Sequence, residues 1–365
     1  MPSSDGLANL YGMSHVEAAV IGAGPIGIEL AANLKRNGIR YRQFEAGQIG
    51  NTITWWPHGT RFFSSPEWIA IAGVPIQTSE QELITGEQYL AYLRLVVEQL
   101  ELPIETYTQV IRLEPRDEPV GSGFRITLDS RQGQEVLTAD KVILATGDMS
   151  YPRELGIPGE DRAHVSHYFT DAHRYFRQRL LIVGGRNSAL EAALRCWRAG
   201  ARVSISYRGS AFPEDRVISR LLLEVKLLID RGQIGFYPAT LPQGISDTAV
   251  QLQHTDSGRM TTVDADFVLL CTGFVPDQRL FDQLQLARSG PEAAPRLDPD
   301  TREASLPGVY VAGTAAAGDQ QTYRTFIATS HDHVHRIIRH LRPDADIRTG
   351  NHPSRDYELN SMDIE

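Results

Sequence analysis

Twice along this chain a continuous apolar run ends in glycine and passes into a stretch with helical spacing. The first is Val16-Glu17-Ala18-Ala19-Val20-Ile21, followed by Gly22-Ala23-Gly24-Pro25-Ile26-Gly27. A short apolar run bounded by glycine reads as a buried strand. Helical spacing then predicts a helix over 28–37, stopped by Gly38, and a second strand over 39–44 that ends at Glu45. The second run is Leu180-Leu181-Ile182-Val183, followed by Gly184-Gly185-Arg186-Asn187-Ser188-Ala189. Here the pattern predicts a helix over 189–198 and a strand over 202–207 that ends at Arg208.

Between these units the pattern changes. Residues 46–84 are irregular and rich in Trp, Pro, Gly and Ser. Thr85 opens a helix with Gln88 three positions on, the spacing of a capping box. Tyr89, Leu93, Val96 and Leu100 fall on one face of it. Strand-like segments from Thr106 to Ala145, broken at 121–123 and 131–134, predict a small antiparallel meander. It returns through Lys141-Val142-Ile143-Leu144-Ala145-Thr146-Gly147. The strand ending in Cys271-Thr272-Gly273 repeats that Thr-Gly ending. Residues 151–160 and 274–278 read as linkers, and Gly308-Val309-Tyr310-Val311-Ala312-Gly313 returns the chain to the first unit. A helix is expected over 323–341, with Phe326, Ser330, Val334, Ile337 and Leu341 on one stripe, before a polar, loosely held tail.

The expected fold is α/β, with two Rossmann-like three-layer dinucleotide-binding domains, the second inserted into the first. The expected boundaries are 1–152 and 275–341 for the first domain, 153–274 for the second and 342–365 for the tail. A nucleotide diphosphate carries charge that the amides and dipole of a helix N-terminus can meet. In the first turn Gly22 permits the bend, Gly24 lets backbone approach the phosphates and Gly27 lets helix pack on strand. Glu45 lies 18 residues after Gly27, near the roughly 20 expected for the acid that takes a ribose hydroxyl. In the second turn Arg186 and Ala189 replace the later glycines. Arg208 at the strand end suits a 2′-phosphate, where an acid would suit a free hydroxyl, so NADPH is favoured over NADH. Two such turns in this order read as a chain that passes electrons from NAD(P)H to FAD.

Composition narrows this further. Hydrophobic residues make up 41% and charged residues 22%, ordinary for a globular enzyme. A net charge of -9 argues against a nucleic-acid partner. The two cysteines, Cys196 and Cys271, are far apart, which fits a reducing cytoplasm and no disulfide scaffold. No run is long enough to span a membrane, and residues 1–13 lack a secretory pattern. Cytoplasmic localisation and a homo-oligomer are expected.

Taken with Phe62-Phe63-Ser64-Ser65-Pro66-Glu67, Ile157-Pro158-Gly159-Glu160, and His164-Val165-Ser166-His167-Tyr168-Phe169, these motifs resemble the thioredoxin-reductase-like two-dinucleotide flavoproteins. Within them the chain is similar to the YpdA family of FAD-dependent, NADPH-using bacillithiol-disulfide reductases, over residues 16–341. The resemblance implies FAD on Gly22, Gly24, Pro25, Ile26, Gly27, Glu45, Ala145, Thr146, Gly147, Gly313, Thr314, Gln321 and Thr322. It implies NADPH on Gly184, Gly185, Arg186, Asn187, Ser188, Arg208, Thr272 and Gly273. It also implies that the late helix, near Gln321-Thr322, points at the flavin pyrimidine ring. The chain departs from the pattern in three ways. It has no Cys-x-x-Cys; Ile26 stands where the YpdA family carries a cysteine proposed to attack the disulfide; and Thr314 replaces the usual Asp, with an acid returning only at Asp319.

No catalytic residue is assigned from sequence. The acceptor implied is a small-molecule disulfide such as bacillithiol disulfide, or another electron acceptor. A flavin monooxygenase or oxidase using oxygen, and a non-catalytic nucleotide-binding redox sensor, are the alternatives. Cys196 and Cys271 read as core residues. His331 and His335 share a helix face, but without flanking ligands at motif spacing no metal site is expected, and His333 beside them has no assigned role. His167 and His173 read as structural. Trp55, Trp56, Phe62, Phe63 and Trp68 form an aromatic group that either shapes a pocket or cores its own loop. Arg61 beside them is a candidate for a substrate carboxylate or the flavin phosphates.

Overall fold

The computed structural model describes residues 14–79, 82–116, 123–320 and 324–350. Gln321, Thr322 and Tyr323 lie outside them. The chain divides into two compact units, one built from residues up to 54, 59–151 and 275 onward, the other from 55–58 and 152–274.

The first unit opens with β1 (His15–Ile21), α1 (Pro25–Arg36) and β2 (Tyr41–Glu45). The helix begins at Pro25, three residues before the expected start. The fixed φ of proline suits a first helical position, where its missing N–H costs nothing. After the irregular stretch comes α2 (Gly86–Gln99), opened by the Thr85–Gln88 capping box. Its tyrosines hold that stretch from beneath. Tyr89 donates to the Ile69 carbonyl at 2.7 Å, and Tyr92 accepts from Ile71 N–H and donates to the Val74 carbonyl, both at 2.7 Å. Buried backbone with no ladder of its own is satisfied in this way. Then follow β3 (Ile104–Thr106), β4 (Thr108–Pro115), β5 (Phe124–Ser130) and the long β6 (Gly133–Leu144). The sheet order is β3-β2-β1-β6-β5-β4, parallel as far as β6 and antiparallel beyond it.

The second unit contains β7 (Val165–Ser166), β8 (Arg179–Val183), α3 (Asn187–Arg198), β9 (Arg202–Ser206), α4 (Ser219–Asp230) and β10 (Gly235–Tyr237). An antiparallel trio follows, β11 (Thr240–Ile245), β12 (Ala249–His254) and β13 (Met260–Asp264), and then β14 (Phe267–Leu270). Strands β10-β9-β8-β14-β7 make an all-parallel sheet. Side chains alternate across it. Leu180 and Ile182 pack with Leu190, Ala193 and Val225 of the helices, while Leu181 and Val183 pack with Val250 and Leu252 of the trio. A strand buried on both faces explains the unbroken apolar run in β8.

The chain re-enters the first unit and lays β15 (Val309–Val311) parallel to β6, with Val311 opposite Leu144. The last helix, α5 (Ile327–Leu341), buries Ser330, His331, Val334, Ile337 and Ile338. Phe326 is 39% exposed and Leu341 only partly buried, so the stripe is shorter than its spacing suggests. The following segment is not loosely held as far as residue 350. Asn33 exchanges two hydrogen bonds with the backbone of Arg348, and Asn37 does the same with Asp346. Gly350 N–H donates to Glu29 Oε1 at 2.7 Å. Glu29 and Asn33 of α1, with its C-cap Asn37, thus read alternate residues of a strap over 346–350. Among the described residues no helix is long and apolar enough to cross a membrane.

Candidate functional site

In the first unit β1 and β6 run parallel with Ile21 opposite Leu144, and β15 flanks β6 on the same register. The turns that follow them, 22–27, 145–148 and 313–314, therefore share one edge of the sheet. Ligands of open parallel sheets bind at this carboxyl edge. Gly22 has φ +110°, and a Cβ there would lie 2.4 Å from the Ala145 carbonyl oxygen. A Cβ on Gly27 would lie 2.2 Å from the Gly22 carbonyl oxygen. On Gly24 it would meet nothing within 4 Å. Gly22 and Gly27 thus close the turn on itself, and Gly24 leaves its outer face open to a phosphate. The start of α1 has no capping side chain and no acid in its first turn, so its amides and positive end face that opening. The Thr146 hydroxyl, on the same edge, is buried without a partner among the described residues. These features fit a dinucleotide diphosphate such as that of FAD.

Glu45 stands where the spacing puts it. Its Oε2 accepts Ala23 N–H at 2.8 Å and its Oε1 accepts Gly47 N–H at 2.9 Å. Burial raises its pKa above the ordinary carboxyl value, against the lowering by these amides. A carboxylate has about four acceptor positions, so the tie to the turn leaves room for ribose hydroxyls. Ile26 is 6% exposed, and the place of a Gly313 Cβ is 3.5 Å from its own Cβ. It fills the seam between helix and late turn with hydrocarbon. Gly147 and Thr314 are adjacent, the latter's hydroxyl 3.8 Å from a Cβ on the former. Asp148 joins this edge without a motif of its own. Its Oδ2 accepts from Gln320 Nε2 at 2.9 Å, and Thr314 also donates to it. The position after Ala-Thr-Gly was the available signal.

The second unit repeats the turn at the ends of β8 and β14. Gly184 has φ +149°, and its Cβ would lie 2.6 Å from the Cys271 carbonyl oxygen. Arg186 takes the N-cap position that Gly24 holds in the first turn, again with no capping side chain. Arg208 is exposed, and neither arginine forms an ion pair among the described residues. Two free guanidinium groups at a helix start and an adjacent strand end fit the phosphates of NADPH. Ser188 lies in the first helical turn. Asn187 and Thr272 have structural commitments: Asn187 Oδ1 accepts Ile218 N–H at 2.9 Å, and the Thr272 hydroxyl donates to the Arg153 carbonyl at 2.7 Å. Gly273 has φ +91° with open space at its Cβ. The ring of Tyr207 lies over Gly185, 2.4 Å from where a Cβ would be. That contact had no sequence signal beyond the doubled glycine.

The cysteines are free thiols. Cys196 is fully buried in the helix-side core and Cys271 packs against the same core. Burial pushes both thiols up to about 12. Neither is a thiolate near neutral pH.

The remaining candidates are placed elsewhere. His331 Nδ1 lies 2.7 Å from Glu29 Oε2, a carboxylate with no exposure, and its Nε2 is 3.1 Å from the Trp68 carbonyl. Glu29 Oε1 also accepts Ala72 N–H at 2.8 Å. His335 points to solvent, and burial with Arg302 nearby holds His333 neutral, down to about 4. No group able to hold a metal occurs among the described residues. His167 lies 3.3 Å from Glu160, whose carboxylate takes the N–H groups of Leu155 and Gly156. Trp55 packs on Phe274 and Tyr168 with centroids 4.5 and 5.3 Å away, Phe62 packs on Tyr89 at 4.7 Å, and Phe63 is 59% exposed. Arg61 is engaged by Glu82 at 3.2 Å and the Leu83 carbonyl, not by a free anion site.

Residues 19–313 match the family model described as pyridine nucleotide-disulphide oxidoreductase. Bacilliredoxin reductase Bdr of Bacillus subtilis is 30% identical over 84% of this chain and 92% of its own length. A ferredoxin–NADP reductase of Ignicoccus hospitalis is 26% identical over 81% of this chain and 89% of its own. The solved structure of bacillithiol disulfide reductase Bdr (YpdA) from Bacillus cereus superposes with a TM-score of 0.84 at 28% identity, covering 90% of this chain and 98% of that one. The chain belongs to the pyridine nucleotide-disulphide oxidoreductase family and is a flavoprotein oxidoreductase of two Rossmann-like domains, with FAD and NADPH as its cofactors.

Proposed function

We propose that this protein reduces a low-molecular-weight disulfide, of the bacillithiol disulfide kind, with electrons from NADPH and without a protein thiol in the path. The overall change is NADPH, a proton and a disulfide giving NADP⁺ and two thiols. In this reading Gly22, Gly24, Pro25, Ile26, Gly27, Glu45, Ala145, Thr146, Gly147, Gly313 and Thr314 hold FAD, and Gly184, Gly185, Arg186, Asn187, Ser188, Arg208, Thr272 and Gly273 hold NADPH. When bound, the flavin supplies a two-electron store between nucleotide and acceptor. The chain's residues bind, orient and exclude. The α1 amides and Gly24 seat the diphosphate, Glu45 orients the ribose, Ile26 keeps the seam dry, and Arg186 with Arg208 selects the phosphorylated nucleotide.

The observation that carries the reading is the paired turn geometry. Gly22 and Gly184 each close on the end of a neighbouring strand, and each turn leads into an uncapped helix. The absence of a thiolate follows from Ile26 and from the two thiols held near 12. Likeness to proteins named for bacilliredoxin and bacillithiol disulfide supports the acceptor class.

Anaerobic stopped-flow absorbance tests it. NADPH should bleach the flavin band at about 450 nm, and bacillithiol disulfide should restore it. Bleaching that the disulfide does not reverse removes the acceptor and keeps the reductase. No bleaching with NADPH overturns the reading.

A further inference from the structure

Asp148 is 8% exposed, on the carboxyl edge of the first unit's sheet. Each donor to its carboxylate is neutral: the Thr314 hydroxyl, Gln320 Nε2 and its own backbone N–H. No Lys, Arg or His forms an ion pair with it among the described residues. The charged side chain that acts on it is Asp319, of the same sign. Gln320 is itself 8% exposed and fully committed. Beyond Asp148, its Nε2 donates to the Thr325 carbonyl at 3.1 Å, and its Oε1 accepts the N–H groups of Arg324 and Thr325 at 3.0 and 2.9 Å. One carboxylate is thereby wired to the turn at 313–314 and to the backbone leading into α5.

Buried charges are normally paired or coordinated, as Glu29 is by His331. Asp148 is not, and it sits beside the turns that fit an anionic cofactor. Burial above all, with Asp319 adding to it, holds the Asp148 proton more tightly than an ordinary carboxyl does. The chemistry leaves a proton to be accounted for. Disulfide reduction needs two electrons and two protons. The hydride of NADPH carries both electrons and one proton, and the other comes from solvent.

We propose that Asp148 holds that second proton: it takes one up when the bound flavin gains electrons and gives it back when they leave for the disulfide. This rests on the reading that FAD occupies this edge. Asp148 acts through Thr314 and Gln320 as a positioning residue, and the proton it binds offsets the negative charge that builds on the same edge.

The test counts protons. The FAD-loaded protein is photoreduced anaerobically in weakly buffered solution with a pH indicator, from pH 5 to 9. The wild-type protein should show a pH window in which close to one more proton per flavin is taken up than in Asp148→Asn. Asp319→Asn should move that window to lower pH with its height unchanged. Equal proton counts for the wild type and Asp148→Asn at every pH overturn the proposal. If Asp148→Asn does not retain flavin, Asp319→Asn decides, and a window that stays in place overturns it. Wild-type protein that binds no FAD refutes the prior reading instead, a result visible in its absorbance before any proton is counted.

Discussion

The thiol chemistry of this chain is the sharpest point at which its structure can be tested. Both thiols are raised to about 12 by burial. At pH 8 such a thiol is about 10⁻⁴ ionised, against roughly 0.2 for an ordinary thiol of pKa about 8.5. Reaction through the thiolate is then slower by about a thousandfold, before access is counted. Native protein mixed with Ellman's reagent at pH 8 should release no fast thionitrobenzoate, and two equivalents should follow on adding guanidinium. Ile26→Cys should add a third slow equivalent, released only with the guanidinium, because that seam is as closed to the reagent as the native thiol sites. That substitution removes about two carbons from a site only 6% exposed, which costs roughly 1–2 kcal/mol and leaves the fold intact. Alkylating the wild-type protein with iodoacetamide should leave its disulfide turnover unchanged. A fast thiol in the native wild type, with turnover lost on alkylation, would refute the reasoning from burial and restore a covalent route.

The other perturbations each address one contact. With Arg208 on the 2′-phosphate, as proposed, Arg208→Ala would remove a charge-assisted contact worth about 1.5–3 kcal/mol; the KM for NADPH should rise roughly 10- to 100-fold while that for NADH barely moves, as steady-state flavin reduction will show. His331→Gln breaks a buried pair and leaves Glu29 without its cation, a loss of about 3–5 kcal/mol. Hydrogen bonding and the charge of Glu29 raise the His331 pKa above 6.5 in spite of burial, so this stabilisation is complete below the unfolded pKa and fades as pH rises through the folded one. The Tm gap between wild type and His331→Gln should therefore be widest near pH 5.5 and shrink by pH 9; a gap that widens with pH contradicts the assignment. Asn33→Ala drops the reciprocal bonds to Arg348 and should cost about 1–3 kcal/mol in urea unfolding, while limited proteolysis should cut the strap at 345–350 sooner than in the wild type.

What could be read from the sequence is what the backbone demands locally. The two turns were legible because a tight bend and a close helix contact admit glycine and little else at Gly22 and Gly27, while Gly24 leaves the outer face open. The α2 capping box was legible because both partners lie within one helical turn. What depends on strands meeting in space was not. Asp148 reaches Thr314 only because β6 and β15 pair in parallel, and nothing near either residue announces that pairing. Asn33 and Asn37 read as ordinary polar helix positions until the strap at 346–350 is laid against them. His331 and His335 looked alike on a helical wheel, yet Glu29 arrives from another helix and claims one of them. The segment 46–84 has no period. Its aromatics could therefore be counted but not paired, and they divide between Tyr89 in the first unit and Tyr168 with Phe274 in the second.

The two turns also differ in charge, and the difference matches two kinds of ligand. The first edge carries Glu45, Asp148 and Asp319, and its turn has no arginine or lysine between Gly22 and Gly27. In the proposed reading its grip on a diphosphate would come from amides, a helix dipole and fit, which are local and little affected by salt. The second turn places a half-buried Arg186 at the position of Gly24 and an exposed Arg208 at the next strand end, both unpaired among the described residues. Exposed cations speed the arrival of an anion but are screened beyond about 8 Å at physiological ionic strength. A resident cofactor gains nothing from such steering, whereas a nucleotide that must bind and leave at each turnover gains rate. Raising NaCl from 0.05 to 1 M should therefore slow flavin reduction at low NADPH severalfold without releasing FAD into an ultrafiltrate. Flavin lost in parallel with rate would show that the first site, too, is held by screened charge, and the distinction between the two turns would fall.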